Sequence, residues 1–111
     1  MNTILKTKEA TARVRRSLTA TEVVANIAKL EGWMLTGDGV AVAIEKTYAF
    51  TNYYETMAFV NAVAFVAHRQ DHHPDLSVEF KRCVVRFNTH DVGGISMTDF
   101  ETAALVDALL A

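Results

Sequence analysis

The sequence predicts an α+β fold of order α-β-β-α-β-β-α: a four-stranded antiparallel sheet with three helices packed on one face. Three observations carry that expectation. Helix-capping signals open three stretches, at Thr19, Asn52 and Ser96. Apolar and polar residues alternate on both sides of two turn regions, 37–39 and 81–82. One long helical stretch separates these hairpins, and two hairpins joined in this way naturally form one antiparallel sheet. The 111 residues suit one small domain, expected over 18–111. A basic lead-in, residues 1–17, precedes it, and the sequence leaves its order open.

The elements follow in chain order. Thr19-Ala20-Thr21-Glu22 is a capping box, in which Thr19 accepts from the N3 amide and Glu22 reaches back. Leu18 and Val23 form its hydrophobic staple, and apolar residues at helical spacing extend the helix over about 20–31, before Gly32. Trp33 to Tyr48 reads as a hairpin: Gly37-Asp38-Gly39 supplies a tight turn, after which Val40, Val42 and Ile44 alternate. Asn52 and Glu55 open a helix running to about Gln70. Its middle is apolar nearly all round, which predicts the most buried helix of the domain. Pro74 disfavours helical geometry at His73, so this helix ends by the histidine pair. Leu76, Val78 and Phe80 alternate in a second hairpin that turns at Lys81-Arg82 and returns through Cys83, Val85 and Phe87. After a loop over 88–94, Ser96-Met97-Thr98-Asp99 is a further capping box, stapled by Ile95 and Phe100. The last helix runs to about Leu110, with Phe100, Ala103, Ala104 and Leu110 facing inward. The helix-free side of the sheet is expected to be apolar and to need water or a second subunit.

Composition narrows the function. Half of the residues are hydrophobic and the net charge is −2, which argues against disorder and against a nucleic-acid partner. No apolar run approaches the roughly 20 residues needed to span a bilayer, and the N-terminus lacks a signal-peptide core. The expected setting is the cytoplasm, with no membrane contact. Basic charge concentrates at the start, where Lys6, Lys8, Arg13, Arg15 and Arg16 stand against Glu9 alone. The single cysteine, Cys83, alternates with Val85 and Phe87 and reads as a core residue.

All four histidines and the only proline fall between 68 and 90. Asp71-His72-His73-Pro74 lies where the long helix gives way to a loop, and Thr89-His90-Asp91 where the last strand does. If the helix packs across the sheet, both segments reach one edge of the domain. Imidazole exchanges protons near neutral pH, so several facing one concavity, flanked by Asp71 and Asp99, suit proton transfer on a small polar substrate. A satisfied structural hydrogen bond is the plain alternative for any one of them. A metal is another: His68 and His72 are four apart, and His90 could be a third ligand. Arg69 and Gln70 stand where a zincin has its glutamate, so no metal is expected.

These residues resemble the pterin-4a-carbinolamine dehydratase family. The likeness rests on Asp71-His72-His73-Pro74, on Thr89-His90-Asp91, and on Gly93-Gly94-Ile95-Ser96 with Asp99. Leu18-Thr19, Gly32-Trp33, Tyr48, Phe50 and Phe59 support it upstream. The family removes water from 4a-hydroxytetrahydropterin to give quinonoid dihydropterin, recycling the cofactor of aromatic amino-acid hydroxylation. The resemblance implies His72, His73 and His90 as catalytic, and His68, Asp71, Thr89 and Asp99 as substrate-binding. It implies no cofactor, because the pterin is the substrate, and apolar side chains against the ring. It also implies a homodimer or homotetramer. Three positions depart from the family pattern: His68 replaces a usual glutamate, Leu76 a frequent aromatic residue, and Thr98 a frequent basic one. Some members act by binding proteins, stabilising transcription-factor dimers or assisting RuBisCO assembly, and that is the alternative function. Retention of the three histidines and Asp99 favours the enzyme.

Overall fold

A computed structural model describes residues 15–111, so the basic lead-in lies outside the described residues except for Arg15 to Ser17. The elements are α1 (Ala20–Ile27), β1 (Met34–Thr36), β2 (Ala43–Ala49), α2 (Tyr53–Gln70), β3 (Asp75–Glu79), β4 (Arg82–Phe87) and α3 (Met97–Ala108). They follow the expected α-β-β-α-β-β-α order. The sheet is antiparallel throughout, in the order β1-β2-β4-β3.

Local chemistry accounts for the helix starts. At α1 the Glu22 amide donates to Thr19 Oγ1 at 3.2 Å, and the Thr19 amide donates back to Glu22 Oε1 at 2.9 Å. Arg16 also pairs with Glu22, and its guanidinium holds that carboxyl down at about 2. The helix stops at Ile27 rather than near 31, because Lys29 and Leu30 bond three residues back and tighten the last turn. Asn52 caps α2 through the Glu55 amide, at 2.8 Å.

Both hairpins turn differently from expectation. The first link spans 37–42 and includes a 3₁₀ turn, Gly39–Ala41, so Val40 is exposed instead of lying in the strand. Gly37 is required here: its φ is +69°, and a Cβ would sit 2.4 Å from the Ala41 carbonyl oxygen. The second turn lies one residue earlier than expected, at Phe80-Lys81, because Glu79 pairs with Arg82.

Ile44, Tyr48, Cys83, Val85 and Phe87 point to one face of the sheet. There they meet Val23 of α1, Phe59 and Val63 of α2, and Phe100, Ala103 and Val106 of α3. The opposite face is not apolar. It carries Glu45, Thr47, Ser77, Arg82 and Arg86, with ion pairs Arg86–Glu45 and Arg82–Glu79. Water satisfies such a face. The expectation for the long helix also fails. It buries only the stripe Thr56, Phe59, Val63 and Ala67, and leaves Phe65 44% exposed. The shorter α3 is the more deeply packed, burying six of its twelve residues. Thr102 and Val106 take the inward positions expected of Ala104 and Leu110, which are exposed. An all-round apolar sequence does not say which side finds a neighbour.

The far end of α3 is tied to the sheet by Asp107. Trp33 Nε1 donates to Oδ2 at 3.1 Å, Lys46 Nζ to Oδ1 at 2.9 Å, and the Tyr48 hydroxyl also to Oδ1. Burial and the Asp107 charge push the Tyr48 phenol well above its ordinary range. Asp107→Ala removes the acceptor for three donors and is expected to cost about 2–3 kcal/mol. In a thermal melt this reads as a Tm lowered by roughly 10 °C.

Candidate active site

Helix α2 ends at Asp71, which adopts the left-handed conformation (φ 50°) and is the one non-glycine residue with positive φ among the described residues. Aspartate tolerates this conformation better than most residues, yet it still costs on the order of 1 kcal/mol and survives where neighbours fix it. The His72 amide fixes one side by donating to the Ala67 carbonyl at 3.0 Å, closing a Schellman-type end. His72 therefore lies past the helix and does not share a helical face with His68, which undoes the two-histidine metal arrangement. Pro74 holds His73 out of helical geometry, and consecutive residues of the corner point apart. His72 is buried and His73 exposed.

Thr89 to Gly94 close a loop after β4. The Thr89 amide donates to the Gly94 carbonyl at 2.8 Å, and a 3₁₀ turn, His90–Val92, projects His90 and Asp91 outward. Beneath it lies a buried polar network centred on Asp99, in the first turn of α3. Asp99 Oδ1 meets His72 Nε2 at 2.5 Å. Asp99 Oδ2 accepts from the Thr89 hydroxyl at 2.7 Å and from the Ser96 amide at 2.9 Å. Thr89 has one hydroxyl proton, spent on the carboxylate, so at the 2.6 Å contact between hydroxyls Ser96 is the donor. Asp99 is fully buried, and the His72 ring stacks on Phe87, 5.7 Å between centroids.

An open hollow of about 310 Å³ collects Arg15, Asp71, His72, His73, Asn88, Thr89, His90 and Asp91. It brings together five of the seven residues singled out from sequence. Asp99 lies behind His72 instead of lining the hollow. His68, in the last turn of α2, is not on it either. Among the described residues, every side chain lining the hollow is polar or charged, in place of the apolar lining expected for a ring system. Sequence reading missed Arg15, Asn88 and the Ser96 hydroxyl. Asn88 is bound to the Val40 and Val42 carbonyls, contacts no local pattern could foretell. Cys83 is buried, and burial raises its thiol pKa, which does not suit a nucleophile. Among the described residues no group of three metal-ligating side chains forms, and no helix is long and apolar enough to cross a membrane.

The family model for pterin 4 alpha carbinolamine dehydratase matches residues 16–109. The chain belongs to this family. Its relatives agree. A Paracidovorax citrulli protein named "Putative pterin-4-alpha-carbinolamine dehydratase" is 64% identical over 110 residues, 99% of this chain and 95% of that one. A Bdellovibrio bacteriovorus protein of the same name is 49% identical over 100 residues, 86% of this chain and 80% of the other. The crystal structure of a transcriptional coactivator/pterin dehydratase from Brucella melitensis superposes with a TM-score of 0.80 at 25% identity, over 86% of this chain and all of that one. A pterin dehydratase-like RuBisCO assembly factor of the alpha-carboxysome matches with a TM-score of 0.61 at 25% identity, over 72% of this chain and 90% of the other. The family and its names are those of a hydro-lyase, and within it the hollow is the candidate active site.

Asp99→Asn keeps the size of the side chain but offers one acceptor oxygen to three donors and turns an amide toward one of them. We expect a loss of about 1–3 kcal/mol in stability. The His72 ring should lose its fixed orientation. A thermal melt and the ring ¹H–¹⁵N correlations of His72 check both.

Proposed function

We propose that this protein dehydrates 4a-hydroxytetrahydropterins to quinonoid dihydropterins by proton transfer among His72, His73 and His90, returning the pterin to its hydroxylation cycle. The observation carrying this reading is that three imidazoles share one hollow while a buried carboxylate holds one of them. The reaction removes one water. The 4a-hydroxyl needs a proton as it leaves, and a base takes the N5 proton. His72 suits the base: with Nε2–H directed at Asp99, Nδ1 keeps the lone pair. His73 and His90 are exposed, exchange protons with water, and suit the acid. The polar lining offers donors and acceptors to the heterocycle's edge. No metal or bound cofactor is required, because the pterin itself is the substrate. Asp71 would bind that edge, Thr89 and Asp99 would act through His72, and His68 would reach the substrate only from outside the hollow.

The test follows quinonoid dihydropterin formation from a freshly generated 4a-hydroxytetrahydropterin. The wild type should exceed the spontaneous rate, and His73→Ala should lower kcat by about 100-fold. A wild-type rate equal to the spontaneous one would sink the proposal.

An exposed apolar strip supports the expected self-assembly. Tyr54 and Phe65 of α2, Leu105 of α3 and Leu110 just after it stand out around two grooves of about 410 and 350 Å³. Among the described residues that line them, charge enters only through Glu55 and Arg69. A strip of one character on antiparallel-capable helices suits a second copy of the chain, as a homodimer or homotetramer. Light scattering should give a multiple of the chain mass for the wild type and a smaller mass for Leu105→Asp. A monomeric wild type counts against assembly, and recovery of a stoichiometric partner protein would then favour the binding role carried in the names of the structural neighbours.

A further inference from the structure

Arg15 lies one residue ahead of the region matched by the family model, yet its side chain lines the hollow. The path that brings it there is specific. The Leu18 amide donates to the Ile95 carbonyl at 2.8 Å, which lays the segment before α1 along the loop below the site. Ser17 packs on Gly94 so closely that a Cβ there would stand 2.8 Å from Ser17 Oγ. Neighbouring side chains then diverge: Arg16 turns to Glu22, while Arg15 Nη2 donates to the Asp71 carbonyl at 2.9 Å, across 56 residues of sequence.

That carbonyl belongs to the one peptide unit on which the histidine pair depends. The Asp71–His72 peptide is planar, so its oxygen and its N–H move together. Its N–H end is held by Ala67 and its oxygen end by Arg15. Asp71 is also the residue in the left-handed conformation, a state kept only where neighbours fix it. His73 follows this unit, and its side chain has no hydrogen-bond partner among the described residues, so its direction derives from the backbone. We propose that Arg15 is a positioning residue of the active site: it locks the left-handed corner at Asp71 and so aims His72 and His73 into the hollow.

The kinetic consequence rests on the dehydratase reading, so the test carries a second readout that does not. Arg15→Ala is compared with the wild type, with Arg15→Lys, and with Arg16→Ala, which removes the same charge from an exposed surface pair. Arg15→Ala should lower kcat by about 10- to 100-fold, the scale of a small misplacement of catalytic groups. KM should stay within about twofold, and amide exchange at His72 should speed up by about tenfold, as a local opening would make it. Arg15→Lys keeps one donor and should recover part of both losses. Thermal melts of all three should stay cooperative, within a few degrees of the wild type, which shows that each variant folds. An Arg15→Ala protein whose kcat and His72 exchange equal those of Arg16→Ala overturns the proposal. A raised KM with unchanged kcat also overturns it, in favour of direct substrate contact. If the wild type shows no turnover, the dehydratase reading falls, and His72 exchange alone decides the role of Arg15.

Discussion

A carboxylate that water cannot reach is tolerated only when donors surround it, and Asp99 is such a group. Its three donors come from three places: His72 past the end of α2, Thr89 after β4, and the Ser96 amide that starts α3. Leaving any one unmade would cost about 1–3 kcal/mol, a large share of the margin by which a small domain is folded. The loop, the helix start and the histidine corner therefore stand or fall together. Asp99 also sits at the positive end of the α3 dipole, which favours its charge in a place where burial alone would not. The site is thus built into the fold instead of being carried on free loops.

The opposite end of α3 poses the reverse problem. Asp107 lies in the last turn, where the helix dipole disfavours a carboxylate. Lys46, Tyr48 and Trp33 offset this by giving it a cation and two neutral donors, all reached from β2 or the residue before β1. The two carboxylates are eight residues apart, about 12 Å along the axis. One ties α3 to the site and the other to the sheet. The aromatic rings continue the link, because Phe87 touches Trp33 on one side and stacks with His72 on another. This explains how six buried residues come to lie in a helix whose apolar pattern is weaker than that of α2.

What could be read in the sequence follows from how local each cause is. Helix starts were legible because Thr19, Asn52 and the Ser96–Asp99 pair act within four residues. Strands were legible by alternation, but the turn at Phe80-Lys81 was misplaced by one residue, since only pairing of Glu79 with Arg82 decides it. Burial of the helices was misjudged because it depends on neighbours: Phe65 is left 44% exposed, whereas Thr102 is enclosed. In the hollow, His72, His73 and His90 stood out by their clustering, and the family resemblance added their roles together with Asp71 and Thr89. Asp99 stood out too, although nothing local revealed that it lies behind the imidazole instead of lining the hollow. His68 entered through the resemblance, at a position usually held by glutamate; its spacing from His72 suggested only a metal pair, which the left-handed corner breaks. Arg15 gave no signal, because its partner is a backbone carbonyl far along the chain.

The corner has a chemical consequence of its own. Adjacent residues on non-helical backbone point to opposite sides, so ending α2 between Gln70 and His72 gives one histidine to the interior and the next to solvent. The interior ring is stacked and held by a carboxylate, which fixes where its protons sit. The outer ring is exposed to water. In the proposed dehydration, the inner ring would accept a proton in a defined direction and the outer one would be replenished from solvent. Had the helix continued one more turn, both imidazoles would have stood about 100° apart on one cylinder, in similar surroundings. A single left-handed residue is what separates their environments.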